Sequence, residues 1–269
     1  MRAVIFLLVA IASTAAMWPR TLDAQERING RPNFNGIWLA AGSAHWNLED
    51  HSAERLPAFW PLGSLAAIPA GSSVVEGGTI PYRPDAVARR DENRAGWPAS
   101  DPEAACYLPG IPRANYMPYP FQIVQGDSDI MFVYSFASAN RVVNFEDART
   151  LDQVPVDLWM GWSNGSWDGD TLQVEVIAND DRTWLDRAGN YHSSAMTVTE
   201  RFRLVSPNHI QYSATIDDPN VFTRPWTISL PLYRILDENA ELLDFKCVEF
   251  AENLLYGEHL LEPPTPLPE

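Results

Sequence analysis

From Phe121 onward the chain is a succession of short runs rich in β-branched and aromatic residues, and no other feature narrows its possible folds as much. FQIVQ (121–125), DIMFVYSFA (129–137), NRVVNFE (140–146), TLQVEVIA (171–178), AMTVTERFRLV (195–205), HIQYSATI (209–216), WTISLPLYRIL (226–236) and ELLDFKCVEF (241–250) are parted by turn clusters such as GDSD, SPN and DDPN. Brief turns between neighbouring strands force antiparallel pairing. With little helix between them, the strands predict an all-β fold: an antiparallel meander closed or nearly closed into a lipocalin-like barrel. Residues 25–120 carry a different texture, rich in proline, glycine and alanine, and read as an irregular N-terminal wrap forming one structural unit with the barrel of residues 121–260. Within the wrap, helical character is confined to 47–56 and to 84–95, where PDAVARRDENRA opens on proline. The tail 261–269 is proline-rich.

The first residues have the parts of a secretory signal: a positive start at Arg2, an apolar run from Ala3 to Ala16, and a cleavage point after Ala24. That run is shorter than the roughly 18 residues a membrane-spanning helix needs. The expectation is therefore an exported protein, periplasmic or extracellular, with residues 1–24 as signal peptide and no membrane span. The formal charge of −16 repels phosphate backbones, so nucleic acid is not expected as a partner. Two cysteines, Cys106 and Cys247, are either a disulfide or two buried thiols; an oxidising compartment and an even count favour the bridge. It would tie the middle of the chain to its last strand.

Residues 161–165, GWSNG, match the G-x-S-x-G of a nucleophile elbow. An elbow needs a strand before the serine and a helix after it. Here Asn164-Gly165 and Asp168-Gly169 are turn dipeptides, and Thr171–Ile177 alternates as a strand. Ser163 is thus read as part of a hairpin turn and not as a nucleophile.

Strand alternation sorts the remaining candidates by face. Glu200 shares a face with Met196, Val198, Phe202 and Leu204, and Glu249 shares one with Leu243, Phe245 and Cys247. A carboxylate on an apolar face must be paired, hydrogen-bonded or protonated; it is either a structural tie or a general acid or base. The densest polar stretch, NDDRTWLDRAGNYHSS (179–194), sets Asp180, Asp181, Asp186 and His192 around Trp184. Asp186 orienting His192 is the best acid–base pair available, with Glu200 as the complementary proton carrier. The alternative is a surface loop whose aspartates cap turns. A second patch, HWNLEDHSAE (45–54), reads more simply as a helix start with solvated acids. If the barrel encloses a cavity, Trp162, Trp184, Tyr134 and Trp226 are the candidates to line it, with Arg141 or Arg224 meeting an anion or polar oxygen. No metal-ligand spacing occurs, and neither metal nor cofactor is expected.

Taken together, NFNGIW (33–38), WNLEDHSA (46–53), VVEGGTIPY (74–82), CYLPGIPRANYMPYPFQIVQ (106–125), WMGWSNGSWDGDTL (159–172), DRTWLDRAGNYHS (181–193), VTER (198–201), TIDDPNVFTRPW (215–226) and FKCVEF (245–250) resemble a family of exported bacterial proteins of unknown function. The resemblance covers nearly all of the chain after the leader. It implies one co-ordinated domain and brings no activity with it. His51, Asp186, His192, Glu200, Arg224, Cys106 and Cys247 fall on positions of the pattern, whereas His45 and the Asn179-Asp180 pair depart from it.

Two functions follow from the residues, beside a structural or interaction role in the envelope with tight core packing and no cavity. One is an exported enzyme performing acid–base chemistry, of lyase, isomerase, hydratase or hydrolytic type, on a small hydrophobic or aromatic molecule. The other is a non-catalytic binding or carrier protein for such a ligand.

Overall fold

A computed structural model describes residues 26–56, 67–244, 247–249 and 251–257. The expected signal peptide and proline-rich tail lie outside these residues. Nine strands close into a barrel: β3 (Gly36–Ala40), β6 (Phe121–Gln125), β7 (Ile130–Tyr134), β8 (Asn140–Asn144), β9 (Trp162–Asp168), β10 (Thr171–Ile177), β11 (Thr197–Ser206), β12 (His209–Asp217) and β13 (Trp226–Arg234). Two-stranded ribbons, β1 (Arg27–Ile28) with β2 (Arg31–Pro32) and β4 (Glu54–Arg55) with β5 (Ala67–Ile68), flank it. The α-helices among the described residues are α1 (Val87–Gly96) and α2 (Ala251–Tyr256).

The all-β barrel is as the strand pattern predicts, with three corrections. First, the meander is not wholly antiparallel. β8 runs parallel to β9, because residues 145–161 carry the chain across before it re-enters the sheet. A tight turn cannot make that pairing, and a long crossover can. Second, the wrap supplies a stave: β3 pairs with β13 on one side and β6 on the other, closing the cylinder. Third, the described part of 241–250 is not a strand; Glu249 is exposed, so it is not the inward acid that alternation suggested. Among the described residues, 247–249 have no sheet neighbour to hold them extended. Cys247 is nonetheless bonded to Cys106, with Cα atoms 5.6 Å apart, and this bridge ties the segment to the wrap.

The helix expected at 84–95 forms as α1, whereas 47–56 forms turns and the short β4. Its acids are used by backbone amides: Glu49 accepts the Ile80 N–H and Asp50 that of Ser73, which pins the loop instead of coiling it.

Alternation holds along the staves. In β11, Val198, Glu200 and Phe202 point inward while Arg201 and Arg203 are exposed. The interior is filled by side chains rather than left as a cup. Phe121, Phe132, Phe202 and Tyr212 are buried with neighbouring ring centroids 4.9–6.1 Å apart. Among the described residues no helix is long and apolar enough to cross a membrane.

Candidate functional site

The G-x-S-x-G stretch begins at the foot of β9. Gly161 has φ +62°, and a Cβ there would sit 2.4 Å from Val176 and 2.7 Å from the Asn179 amide. Gly165 lies inside the strand, not in a turn, because Val143 and Phe145 cover it; a Cβ would meet Val143 at 2.4 Å. Both glycines therefore serve close backbone approach. Ser163 is buried between them, pairs in register with Val176, and is followed by strand instead of helix. The motif is structural, as the turn dipeptides suggested, although only Asp168-Gly169 makes the turn.

Glu200 is fully buried in the barrel. Its carboxylate accepts from Arg141 Nη1 at 2.5 Å and Nη2 at 3.2 Å, from Asn115 Nδ2 at 2.6 Å and from the Tyr212 hydroxyl at 2.8 Å. Tyr134 in turn donates to Asn115 Oδ1 at 2.8 Å. Arg141 comes from β8, on the far side of the barrel interior, and its guanidinium lies 4.5 Å from the Phe132 ring centre. Asn115 is delivered by a turn of the wrap, residues 113–115. Burial pushes the Tyr134 hydroxyl above its ordinary value and Tyr212 well above it, so both stay protonated as donors. The arrangement is a charge pair capped by neutral hydrogen-bond partners, the form in which buried ions are tolerated.

Asp186 and His192 are also buried, but each is held by other residues. Asp186 accepts from the backbone N–H of Leu48, Ala188 and Asn190 and from Asn190 Nδ2, at 2.6–3.2 Å. Burial pushes its carboxyl up to about 6 against these donors. His192 Nδ1 faces the Ser193 carbonyl at 2.9 Å, and Nε2 faces Thr183 Oγ1 at 2.6 Å. A carbonyl only accepts, so Nδ1 carries the proton; in the neutral ring Nε2 then accepts from Thr183, whose single hydroxyl proton also has the Asp180 carbonyl within reach at 3.1 Å. Burial pulls the imidazole below its ordinary value, which suits this neutral form. The expected Asp186–His192 hydrogen bond is replaced by these separate ties, and Glu200 shares no hydrogen-bond partner with either. Asp180 pairs with Arg182 at 2.5 Å.

The six residues expected to line a cavity do not converge. Tyr134 and Arg141 belong to the Glu200 network. Trp184 and Trp226 are core, the latter 5.3 Å from Phe222 in an edge-on contact. Trp162 sits in a small outer cluster under Arg149, and Arg224 is exposed, donating to the Pro225 carbonyl. In the barrel interior the inward aromatic rings of Phe121, Phe132, Phe202 and Tyr212 pack against one another instead.

Open space occurs instead between the wrap and the 186–190 loop. A cleft of about 630 Å³ is lined by Trp46, Trp97, Ile68, Arg187 and a rim of Glu54, Arg55, Asp91 and Arg94, among others. Its wall is set by Gly189, at φ +85°, where a Cβ would lie 2.6 Å from the α1 backbone at Arg94. The missing side chain lets α1 rest directly on the loop, which brings Asp91 and Arg94 beside Arg187. The two indoles meet edge-on at 5.6 Å, and Arg187 stacks 4.4 Å over Trp46. A second cavity of about 280 Å³ shares Trp97, Pro98 and Arg187 and is closed on its far side by Cys247, Val248 and Ala251.

Beneath the cleft lies a chain of buried charges. Arg187 donates to Glu103 through Nε at 2.9 Å and Nη2 at 2.5 Å; Glu103 also receives Arg113 at 2.6 Å, and Arg113 grips Asp101 with two bonds of 2.8 Å. These arginines overcome the desolvation of Glu103 and hold it at about 2. His45, next to the cleft-lining Trp46, is lowered to about 4 by burial and by Arg187. None of Glu200, Asp186 or His192 lines either cavity. Sequence reasoning missed the cleft because its walls come from residues 46–56, 68, 91–98 and 187–188. The one local signal was the pair of tryptophans beside arginine-rich segments.

Among the described residues no group of three histidine, cysteine or acidic side chains stands close enough to hold a metal ion. Fold and cleft together define a side-chain-filled nine-stranded β-barrel with an indole-walled cleft outside it. Compared with models of protein families, with curated proteins and with solved structures, the chain matches none.

Proposed function

We propose that the chain is a non-catalytic binding protein for a small hydrophobic or aromatic molecule, held in the cleft lined by Trp46 and Trp97. The observation that carries this reading is the cleft itself. Its volume lies within the roughly 300–1,000 Å³ usual for small-molecule sites, and apolar atoms make up most of its lining surface, with polar and charged side chains such as Asn47, His51 and Arg187 among them. Acid–base catalysis is the weaker reading, because the three residues proposed for it are engaged with protein partners and line neither cavity. The Cys106–Cys247 bridge supports work in an oxidising compartment, in line with the leader-like N-terminus and the resemblance to exported bacterial proteins.

Titration with 1-naphthol, followed by quenching of tryptophan emission, tests the reading. Saturable binding should weaken at least about tenfold in Trp97→Ala, since aromatic anchors carry most of the energy of such sites. Binding that Trp97→Ala leaves untouched would place the ligand elsewhere.

A further inference from the structure

The charges around the cleft can be paired off. Arg187 is matched by Glu103, Arg94 lies 3.5 Å from Glu54, and Asp91 is taken by Arg90 at 2.6 Å. Arg113, behind Glu103, is matched by Asp101 at 2.8 Å. Arg55 remains. It lines the cleft from the exposed strand β4 and has no ion-pair partner among the described residues. A cleft with one surplus cation is notable in a chain of net charge −16, whose general field repels anions. The surplus stands at the rim of a mostly apolar space with indole walls.

Resting on the cleft reading above, we infer that the ligand is a flat anion, an aromatic carboxylate, with its ring against Trp46 and Trp97 and its charge facing Arg55. The acidic surface then acts as a filter. Anions without an apolar body gain too little from one exposed arginine to overcome the repulsion, and apolar cations meet an unbalanced positive charge. Arg187, clamped to Glu103 and stacked on Trp46, keeps one edge of its guanidinium engaged, so it shapes the floor while Arg55 discriminates charge.

The test uses three ligands of one shape: 2-naphthoate, 2-naphthamide and 2-naphthylmethylammonium, titrated into the full-length protein by calorimetry. Naphthoate should bind about tenfold more tightly than the amide, and the ammonium most weakly. In Arg55→Gln the acid and amide should come within about threefold, with melting temperature unchanged because the side chain is exposed. Raising salt to about 0.5 M should shrink the wild-type preference, since a rim charge is screened. Equal binding of acid and amide, both weakened by Trp97→Ala, overturns the anion preference and leaves the cleft reading standing. A preference that survives Arg55→Gln overturns the role of that residue. If none of the three binds, the cleft reading falls with it.

Discussion

Replacing Glu200 by glutamine keeps the side chain's size and removes its charge, which leaves the Arg141 guanidinium in the barrel interior without a counter-ion. The glutamine Oε1 can still accept from Asn115 and Tyr212, now at 2.6 and 2.8 Å from the carboxylate. Its amide nitrogen must then face Arg141, donor against donor. Breaking one side of a buried pair costs about 3–5 kcal/mol, because the remaining charge stays desolvated. For a domain of this size, about 2–4 °C of melting temperature goes with each kcal/mol, so Glu200→Gln should melt roughly 6–20 °C below wild type. Arg141→Met with Glu200→Gln removes both charges, and the double variant should recover most of the loss. Urea unfolding of both singles and the double completes a cycle whose coupling term should exceed about 2 kcal/mol. A Glu200→Gln protein with unchanged midpoint and melting temperature would refute the counter-ion role. One that gained stability would point to a strained functional acid instead.

Other outcomes follow from the same structure. His45 has a folded pKa of about 4 against an ordinary 6.5, so the unfolded chain binds the extra proton first. Its stabilising effect is present above pH 6.5 and lost as pH falls toward 4, and the stability of His45→Leu relative to wild type should rise by about 3 kcal/mol over that interval in urea titrations. Asp186, raised to about 6, acts with the opposite sign: its contribution is greatest below about pH 4 and is lost as pH rises through 6. Cys106 and Cys247 are 141 residues apart, and by loop entropy their double serine variant should lose about 5 kcal/mol, read by denaturant midpoint with and without reductant. Among the described residues Ser163 Oγ has no hydrogen-bond partner, so Ser163→Ala should leave stability within about 0.5 kcal/mol of wild type or raise it. Gly165→Ala, whose Cβ collides with Val143, should destabilise by about 1–3 kcal/mol in the same measurement.

Glu200 shows how far local pattern reaches. Its inward direction follows from the two-residue period of β11, whatever lies opposite, and the sequence sufficed to place it among Val198 and Phe202. The same period misled at Glu249, because alternation has meaning only where a sheet neighbour holds the strand extended, and residues 247–249 have none among the described residues. The antiparallel staves and the cysteine pairing were legible for a similar reason: short turns and an even thiol count act through near neighbours and simple chemistry.

Tertiary structure alone decided what those groups meet. That Glu200 faces Arg141 across the barrel and Asn115 from the wrap depends on closure by β3 and on the parallel entry of β9, both long-range pairings with no local signature. Asp186 and His192 stand six residues apart, yet backbone amides satisfy one while a threonine and a carbonyl hold the other. The cleft exists because Gly189 lets a helix of residues 87–96 touch a loop nearly a hundred residues later. Amino-acid order fixes which side chains can be buried and which way a strand presents them. Only the packed chain fixes which buried polar groups satisfy one another and where room is left for a ligand.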